Sequence, residues 1–220
     1  MISAKEFDSQ TIKRAYNRRS WVYSKTVAPM EWSYHLAALD LANIVRGEKV
    51  LEAAVGPGLT IVELAKRVGK ETMIFGIDTS TSMLALAKQN LLSHGLSNFQ
   101  LKEADSRQLP FDDHTFDMLY NAYMLDLIPV QDMSGILKEF RRVLRPGGRL
   151  VLLNMSKRNE ATLTAREKIY RLMPAKLTLY LMGGCRPVLM EAPAKATGFQ
   201  DVSRVFLDGK APSEVVLARK

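Results

Sequence analysis

The chain has 220 residues, 47% of them hydrophobic and 25% charged, with a formal net charge of +8. That balance supports an apolar core of ordinary size for one domain and excludes a disordered or fibrous chain. A single cysteine, Cys185, and three scattered histidines, His35, His94 and His114, build neither an internal disulfide nor a metal cluster, so metal and cysteine-relay chemistry are not expected.

In chain order, residues 1–46 read as an N-terminal arm of cap helices. Its start, "MISAKEFDSQ", lacks the apolar centre of a signal peptide, and the expected compartment is the cytoplasm. "HLAALDLANIV" is broken by charge well short of the ~20 residues a membrane span needs. "GEKVLEAAV" reads as the first strand. "LTIVELAKRVGK" follows as a helix, with Val62, Ala65 and Val68 at helical spacing and Gly69 as its cap. "ETMIFGID" is a buried strand, and "SMLALAKQNLLSHG" a helix with Met83, Leu84, Ala87 and Leu91 on one face and Ser80 or Thr81 at its start. "NFQLKEAD" and "FDMLYNAY" are strands, "QDMSGILKEFRRVL" is a helix, "GRLVLLNMS" is a continuous apolar strand, and "FQDVSRVFL" and "SEVVLARK" close the chain. Strands alternating with helices imply right-handed crossovers and a parallel sheet covered on both faces, an open-sheet α/β fold. Within this single domain, residues 47–156 form the core, 157–195 an insertion and 196–220 the final strands. The arm and the insertion lie outside the alternation and are the natural places for acceptor specificity.

In such a sheet a ligand lies beyond the carboxyl ends of the strands, where strand order reverses. "LEAAVGPGLT", residues 51–60, occupies that position. The dinucleotide fingerprint requires a third glycine three positions after Gly58, where this chain has Ile61. Glu52 precedes Gly56 by four and brings a carboxylate to the crevice rim, which suits a ligand with a cationic amino group better than a diphosphate.

The series "VLEAAVGPG", "GIDTSTSML", "ADSRQLPFDDHTFDMLYNAYMLDLI" and "EFRRVLRPGGRLVLLN" resembles the consecutive motifs of class I S-adenosylmethionine-dependent methyltransferases, most closely the ubiquinone/menaquinone C-methyltransferases. The arm "YNRRSWVYS" is similar to the two-tyrosine motif of relatives that include bacterial phosphatidylethanolamine N-methyltransferases. The resemblance implies a Rossmann-like, seven-stranded, mostly parallel sheet with the last strand antiparallel, and S-adenosylmethionine as cofactor. It implies that Glu52, Ala54, Gly56 and Gly58 border the methionine portion, glycine allowing close backbone approach. Ala54 stands where relatives carry the first glycine of the loop, and its methyl group would tighten the pocket. Asp78, 26 positions after Glu52, would accept from the ribose hydroxyls with Thr79 beside it, or else cap a helix. Asp105 would accept from the adenine amino group, next to Ser106. Met83 and Leu109 would line the adenine slot or belong to the core. Asn121 would stand by the transferred methyl group. Tyr16, Tyr23 and Tyr123, with His114 and Asp126, are the titratable or hydroxyl groups expected near the site, His114 in a polar loop that favours a solvated position.

Methyl transfer is an in-line displacement for which a dedicated base is optional. "NAYM" is not the N-P-P-Y tetrad of amide and nucleobase methyltransferases, so a nucleic-acid acceptor is disfavoured. An RNA-directed enzyme and a cofactor-binding protein without turnover, the latter suggested by Ala54, are the alternatives. Residues 1–30 carry +4 and residues 157–195 carry +5, leaving −1 for the rest. Both segments join bases to apolar groups: Trp21 and Tyr23 with Arg14, Arg18 and Arg19; Leu163, Ile169, Tyr170, Leu172 and Met173 with Arg166, Lys168 and Arg171. The pattern predicts a lipophilic or phosphate-bearing acceptor, a quinone precursor or phospholipid head group, met at an anionic membrane surface. An ordinary core-packing face beneath a basic solvated one would give the same pattern. Nothing in the residues sets the oligomeric state.

Overall fold

A computed structural model of the chain describes Thr11 and residues 31–159, 163–182 and 184–220. Helix α1 runs through residues 31–41 and buries Tyr34, Ala38 and Leu39, spaced so that they share one helical face. Asn43, in the left-handed conformation at φ 47°, turns the chain toward the sheet. Strand β1 (Val50–Ala53) is buried throughout. Helix α2 (Leu59–Val68) ends at Gly69, whose amide bonds the Ala65 carbonyl. Then come β2 (Ile74–Asp78), α3 (Thr81–Ser93), β3 (Phe99–Glu103), β4 (Phe116–Ala122), α4 (Val130–Val143) and β5 (Leu144–Met155). Ser80 caps α3 by accepting from the Met83 amide.

The seven strands lie in the order β3-β2-β1-β4-β5-β7-β6, where β6 is Gln200–Leu207 and β7 Ser213–Arg219. Strands β1 to β5 are mutually parallel, and β7 runs antiparallel to both β5 and β6. This is the seven-stranded, mostly parallel α/β sheet expected. Strand order reverses between β1 and β4, which opens the crevice beyond their carboxyl ends. One apolar cluster, with Leu39, Ile61, Leu64 and Leu91, packs α1, α2 and α3 on one face of the sheet. The other, with Met133, Leu137, Phe140 and Ala194, packs α4 and α7 (Glu191–Ala196) on the opposite face. Burying a side chain such as Leu39 or Phe140 contributes ~1.5–3 kcal/mol each, so the crevice rests on a rigid base. Strand β5 begins four residues earlier than the apolar run in the sequence, because Leu144 already pairs with Phe116 before the register shifts between Phe116 and Met118.

Helices α5 (Ala165–Leu172) and α6 (Ala175–Met182) lie in the insertion, with Pro174 between them. Thr164 and Glu167 make a reciprocal capping box at the start of α5. Glu167 is buried and receives the Lys157 ammonium at 3.0 Å. The Glu214 carboxylate on β7 accepts from the Ser156 hydroxyl at 2.8 Å and the Met190 amide at 2.7 Å, and pairs with Arg204. These buried polar groups join the insertion to the ends of β5 and β7. Among the described residues no helix is long and apolar enough to cross a membrane.

Candidate active site

The turn after β1 departs from ordinary backbone geometry at Ala54 (φ 63°), Gly56 (φ 52°) and Gly58 (φ 87°). The two glycines do different work. A Cβ on Gly56 would meet nothing within 4 Å, whereas one on Gly58 would lie 2.4 Å from the Ala87 Cα. Gly56 leaves open space beside the crevice, and Gly58 lets α3 pack against the loop. Ala54 carries a methyl group in a conformation that costs an L-residue ~1–2 kcal/mol.

Asp78, at the carboxyl end of β2, accepts from the Gly56 amide at 2.9 Å and from the Ser80 amide at 2.8 Å. It thereby holds the glycine loop against the start of α3, while the cap itself falls to Ser80. Glu52 is buried, and among the described residues its Oε2 has no hydrogen-bond partner. Burial, and then the neighbouring Asp78 charge, push the Glu52 carboxyl well above the usual carboxylate range. Burial also raises Asp78, against the lowering effect of the Ser80, Gly56 and Thr79 amides. Among the described residues neither carboxyl group has a cationic partner, so no side chain there offsets the charge that either carries when ionised.

Two cavities open here. Trp32, His35, Glu52, Thr60 and Tyr123 border the first. Asp78, Thr79, Asp105, Ser106, Met124 and Ile128 border the second. Ala54 lines both and stands at their junction. The Asp105 carboxylate accepts from the Arg107 amide at 2.9 Å and pairs with its guanidinium at 3.0 Å, so the acid at the rim of the second cavity is already held in place.

The remaining sequence expectations divide. Tyr123 lines the first cavity at φ 49°, its hydroxyl 3.0 Å from the Ser213 Oγ. Burial raises its phenol well above the ordinary value, so the neutral form prevails. Asn121 is fully buried and borders neither cavity; its amide donates to the Ala53 carbonyl at 2.9 Å and ties β4 to the end of β1. Met83 and Leu109 are buried and also border neither. Asp126 is buried behind the crevice and accepts from the Met155 amide. His114 lies at the amino end of β4, 3.0 Å from the Lys220 ammonium, at the end of the sheet away from the crevice. Tyr16 and Tyr23 lie outside the described residues.

Sequence reading missed His35, Trp32 and Thr60. Each lines the first cavity, yet their partners lie far along the chain, and only the helical pattern of α1 hinted that the arm would fold over the loop. Arg186 was counted only as a surface charge. It is fully buried and donates to the Asp126 and Ile128 carbonyls, both at 2.7 Å, which holds the segment walling the second cavity.

Residues 50–148 match the family model described as a methyltransferase domain. Over 126 residues the chain is 37% identical to the ubiquinone/menaquinone biosynthesis C-methyltransferase UbiE of Idiomarina loihiensis, covering 57% of this chain and 49% of that protein. It is 34% identical over 163 residues to a demethylmenaquinone methyltransferase of Staphylococcus epidermidis, covering 74% of this chain and 64% of that protein. The chain therefore spans about half to two thirds of the length of these curated relatives. Among solved structures, the cyclase SpnF overlays with a TM-score of 0.79 at 16% identity, covering 100% of this chain and 99% of that one, which shows a shared fold. Solved S-adenosylmethionine-dependent methyltransferases share that fold as well, at TM-scores of 0.65 and 0.71. By its motifs, its sheet and the matched model, residues 50–148 carry a methyltransferase domain of the class I fold, and the chain is similar to the ubiquinone/menaquinone C-methyltransferases.

Proposed function

We propose that this chain transfers a methyl group from S-adenosylmethionine, held across the two cavities, to a flat lipophilic acceptor of the quinone-precursor type met at an anionic membrane surface. The observation that carries the reading is a pair of carboxyl groups, the buried Glu52 and the half-buried Asp78, that border two cavities both lined by Ala54 and have no cationic partner among the described residues. The cofactor matches that deficit with an amino group and two ribose hydroxyls, and when bound it supplies an electrophilic methyl group. Glu52 and the open space beside Gly56 suit the methionine portion, Asp78 and Thr79 the ribose, and Asp105 with Ser106 the adenine. Tyr123, beside the first cavity, would then flank the acceptor. Asn121 would act by holding the ends of β1 and β4 in register. The chain's contribution to rate is to hold donor and acceptor in line and exclude water, and orientation of this kind is worth ~7–11 kcal/mol.

Aromatic walls support a planar acceptor: Trp32, His35 and Tyr123 cluster at the first cavity, with the His35 ring centroid 5.5 Å from that of Tyr123. The names of the relatives, a ubiquinone/menaquinone and a demethylmenaquinone methyltransferase, agree with such a ring. Support for the membrane comes from α5 and α6, where Ile169, Leu172 and Leu177 are exposed, Leu172 by 86%, beside exposed Lys168 and Arg171, with Leu163 exposed just before α5. A cation near anionic lipid contributes ~1 kcal/mol. The charge available there is smaller than the sequence count, because Lys157 and Arg186 are spent inside the fold.

Asp78→Ala tests the cofactor assignment. It should weaken S-adenosylmethionine binding by at least tenfold, or ~1.4 kcal/mol, in calorimetry on a variant that still melts cooperatively. Unchanged affinity in a folded variant would remove Asp78 from the site.

A further inference from the structure

His35 reaches the first cavity from α1. Its Nδ1 lies 3.0 Å from the Thr60 Oγ1 and 3.2 Å from the Tyr120 hydroxyl. Both contacts fall on one ring nitrogen. Trp32, Tyr120 and Tyr123 surround the ring with centroids 6.0, 6.3 and 5.5 Å away, so its plane is fixed by packing as well as by hydrogen bonds. Nε2 has no hydrogen bond among the described residues, while the ring itself lines the cavity. Thr60 sits in the first turn of α2, immediately beyond the glycine loop. The imidazole therefore spans the distance from that loop to β4 and leaves one nitrogen for a ligand.

Burial lowers the His35 pKa to about 4, so the ring is neutral near neutral pH. The titratable groups on the elements packed around it are Glu52 of β1, Tyr120 of β4 and Tyr123 just beyond, with Glu31 one turn earlier on α1. Each hydroxyl can donate to or accept from Nδ1, and in the tautomer that carries the ring proton on Nδ1 the Nε2 presents a lone pair. A lone pair cannot bond a carboxylate; it requires a donor.

We propose that His35 is the base that takes the proton of an acceptor hydroxyl, through Nε2, as the methyl group is transferred. The inference rests on the methyltransferase reading of the same cavity. The acceptor's hydroxyl proton goes to Nε2, and its freed electron pair drives the nucleophilic oxygen or ring carbon onto the methyl carbon. The pair of the breaking carbon–sulfur bond returns to sulfur, and the imidazolium later gives its proton to water. Where the ring carbon attacks, the product is a keto tautomer that regains its aromatic ring when the proton of the methylated carbon leaves to water and the oxygen is reprotonated. Charge balances at each stage. A neutral His35 does not repel the cationic donor, and the imidazolium forms only as the sulfonium charge disappears, beside Glu52. Thr60 and Tyr120 are positioning residues that hold the ring.

The test uses the full chain, S-adenosylmethionine and a 1,4-dihydroxynaphthalene carrying a short isoprenoid chain. His35→Gln should lower kcat by about 10²-fold or more, as expected for loss of a general base, with affinities for S-adenosylmethionine and its demethylated product within about threefold by calorimetry. The pH profile separates a chemical role from a structural one. The wild type should be flat between about pH 6 and 9, whereas log kcat of the variant should rise with a slope near one as hydroxide replaces the base. Added imidazole should restore part of the rate in His35→Gly. Thr60→Val, which removes a positioning bond and leaves the ring in place, should show a smaller loss in the same direction. It also serves if the His35 variants fail to fold. Unchanged kcat in a folded His35 variant, or a loss confined to cofactor affinity, would overturn the proposal and leave the methyltransferase reading standing. A wild type that binds S-adenosylmethionine but does not methylate the diol would overturn the acceptor reading and this proposal together.

Discussion

Ala54 joins strain and function in one residue. Its φ of 63° lies where glycine is at ease, and its methyl group borders both cavities. Ala54→Gly relieves backbone strain of ~1–2 kcal/mol but adds freedom to the unfolded chain worth about 0.5–1 kcal/mol. The melting temperature should therefore change little or rise slightly. S-adenosylmethionine affinity should stay within about tenfold, ~1.4 kcal/mol; a gain of several orders of magnitude in calorimetry would mean that the methyl group obstructs the cofactor. Glu52 gives a pH signature. Its carboxyl is raised in the folded protein, so the folded state holds a proton that the unfolded state has lost, and stability from this group falls as pH rises above the usual carboxylate range. A cationic ligand favours the ionised form. Binding of S-adenosylmethionine should therefore release a proton and strengthen as pH rises through the raised pKa. Calorimetry in buffers of different ionisation enthalpy reads that release directly, and Glu52→Gln should abolish it.

At the scale of elements, α5 places its polar and apolar groups against the usual rule. Glu167 and Tyr170 are buried, while Ile169 and Leu172 face outward. Because the outward pair contributes little to the core, replacing both by serine should leave the melting temperature within about 2 °C. The same change should cut co-sedimentation with anionic vesicles at low salt by about tenfold or more, since burying one such side chain is worth ~1.5–3 kcal/mol. Vesicle binding unaffected by the double substitution would remove α5 from any membrane contact. Periodicity made most elements legible in the sequence: Val62, Ala65 and Val68 marked α2, and continuous apolar runs marked the buried strands. The position of Asp78 at the end of β2 was legible for the same reason. Long-range neighbours were not. His35 meets Thr60 at a separation of 25 residues and Tyr120 at 85, distances over which local pattern carries no information. Gly58 read as an opening for a ligand, and only the approach of Ala87 shows that it serves packing. Lys157 and Arg186 counted toward a basic surface until the fold enclosed them.

Across the whole molecule, the crevice is built from three parts that differ in origin. The sheet supplies Glu52 and Asp78 at the carboxyl ends of adjacent strands, α1 lays Trp32 and His35 over the glycine loop, and the insertion braces the segment after β4 through Arg186. The basic excess of the sequence falls in residues 1–30, all but Thr11 outside the described residues, and in the insertion, with a slightly acidic body between them. A sheet rigid enough to hold two carboxylates without a cation, walled by segments that carry aromatic and apolar groups, suits capture of a cationic donor beside a flat lipophilic acceptor. The most direct measurement is mass spectrometry of acceptors after incubation with S-adenosylmethionine labelled in its methyl group. The prenylated dihydroxynaphthalene, a ubiquinone precursor and phosphatidylethanolamine would each be presented in anionic vesicles. The account predicts label in a quinone-type acceptor, formed in equal amount with the demethylated cofactor and abolished by Asp78→Ala. Tight binding of S-adenosylmethionine with no label in any acceptor, or label only in the phospholipid head group, would contradict it.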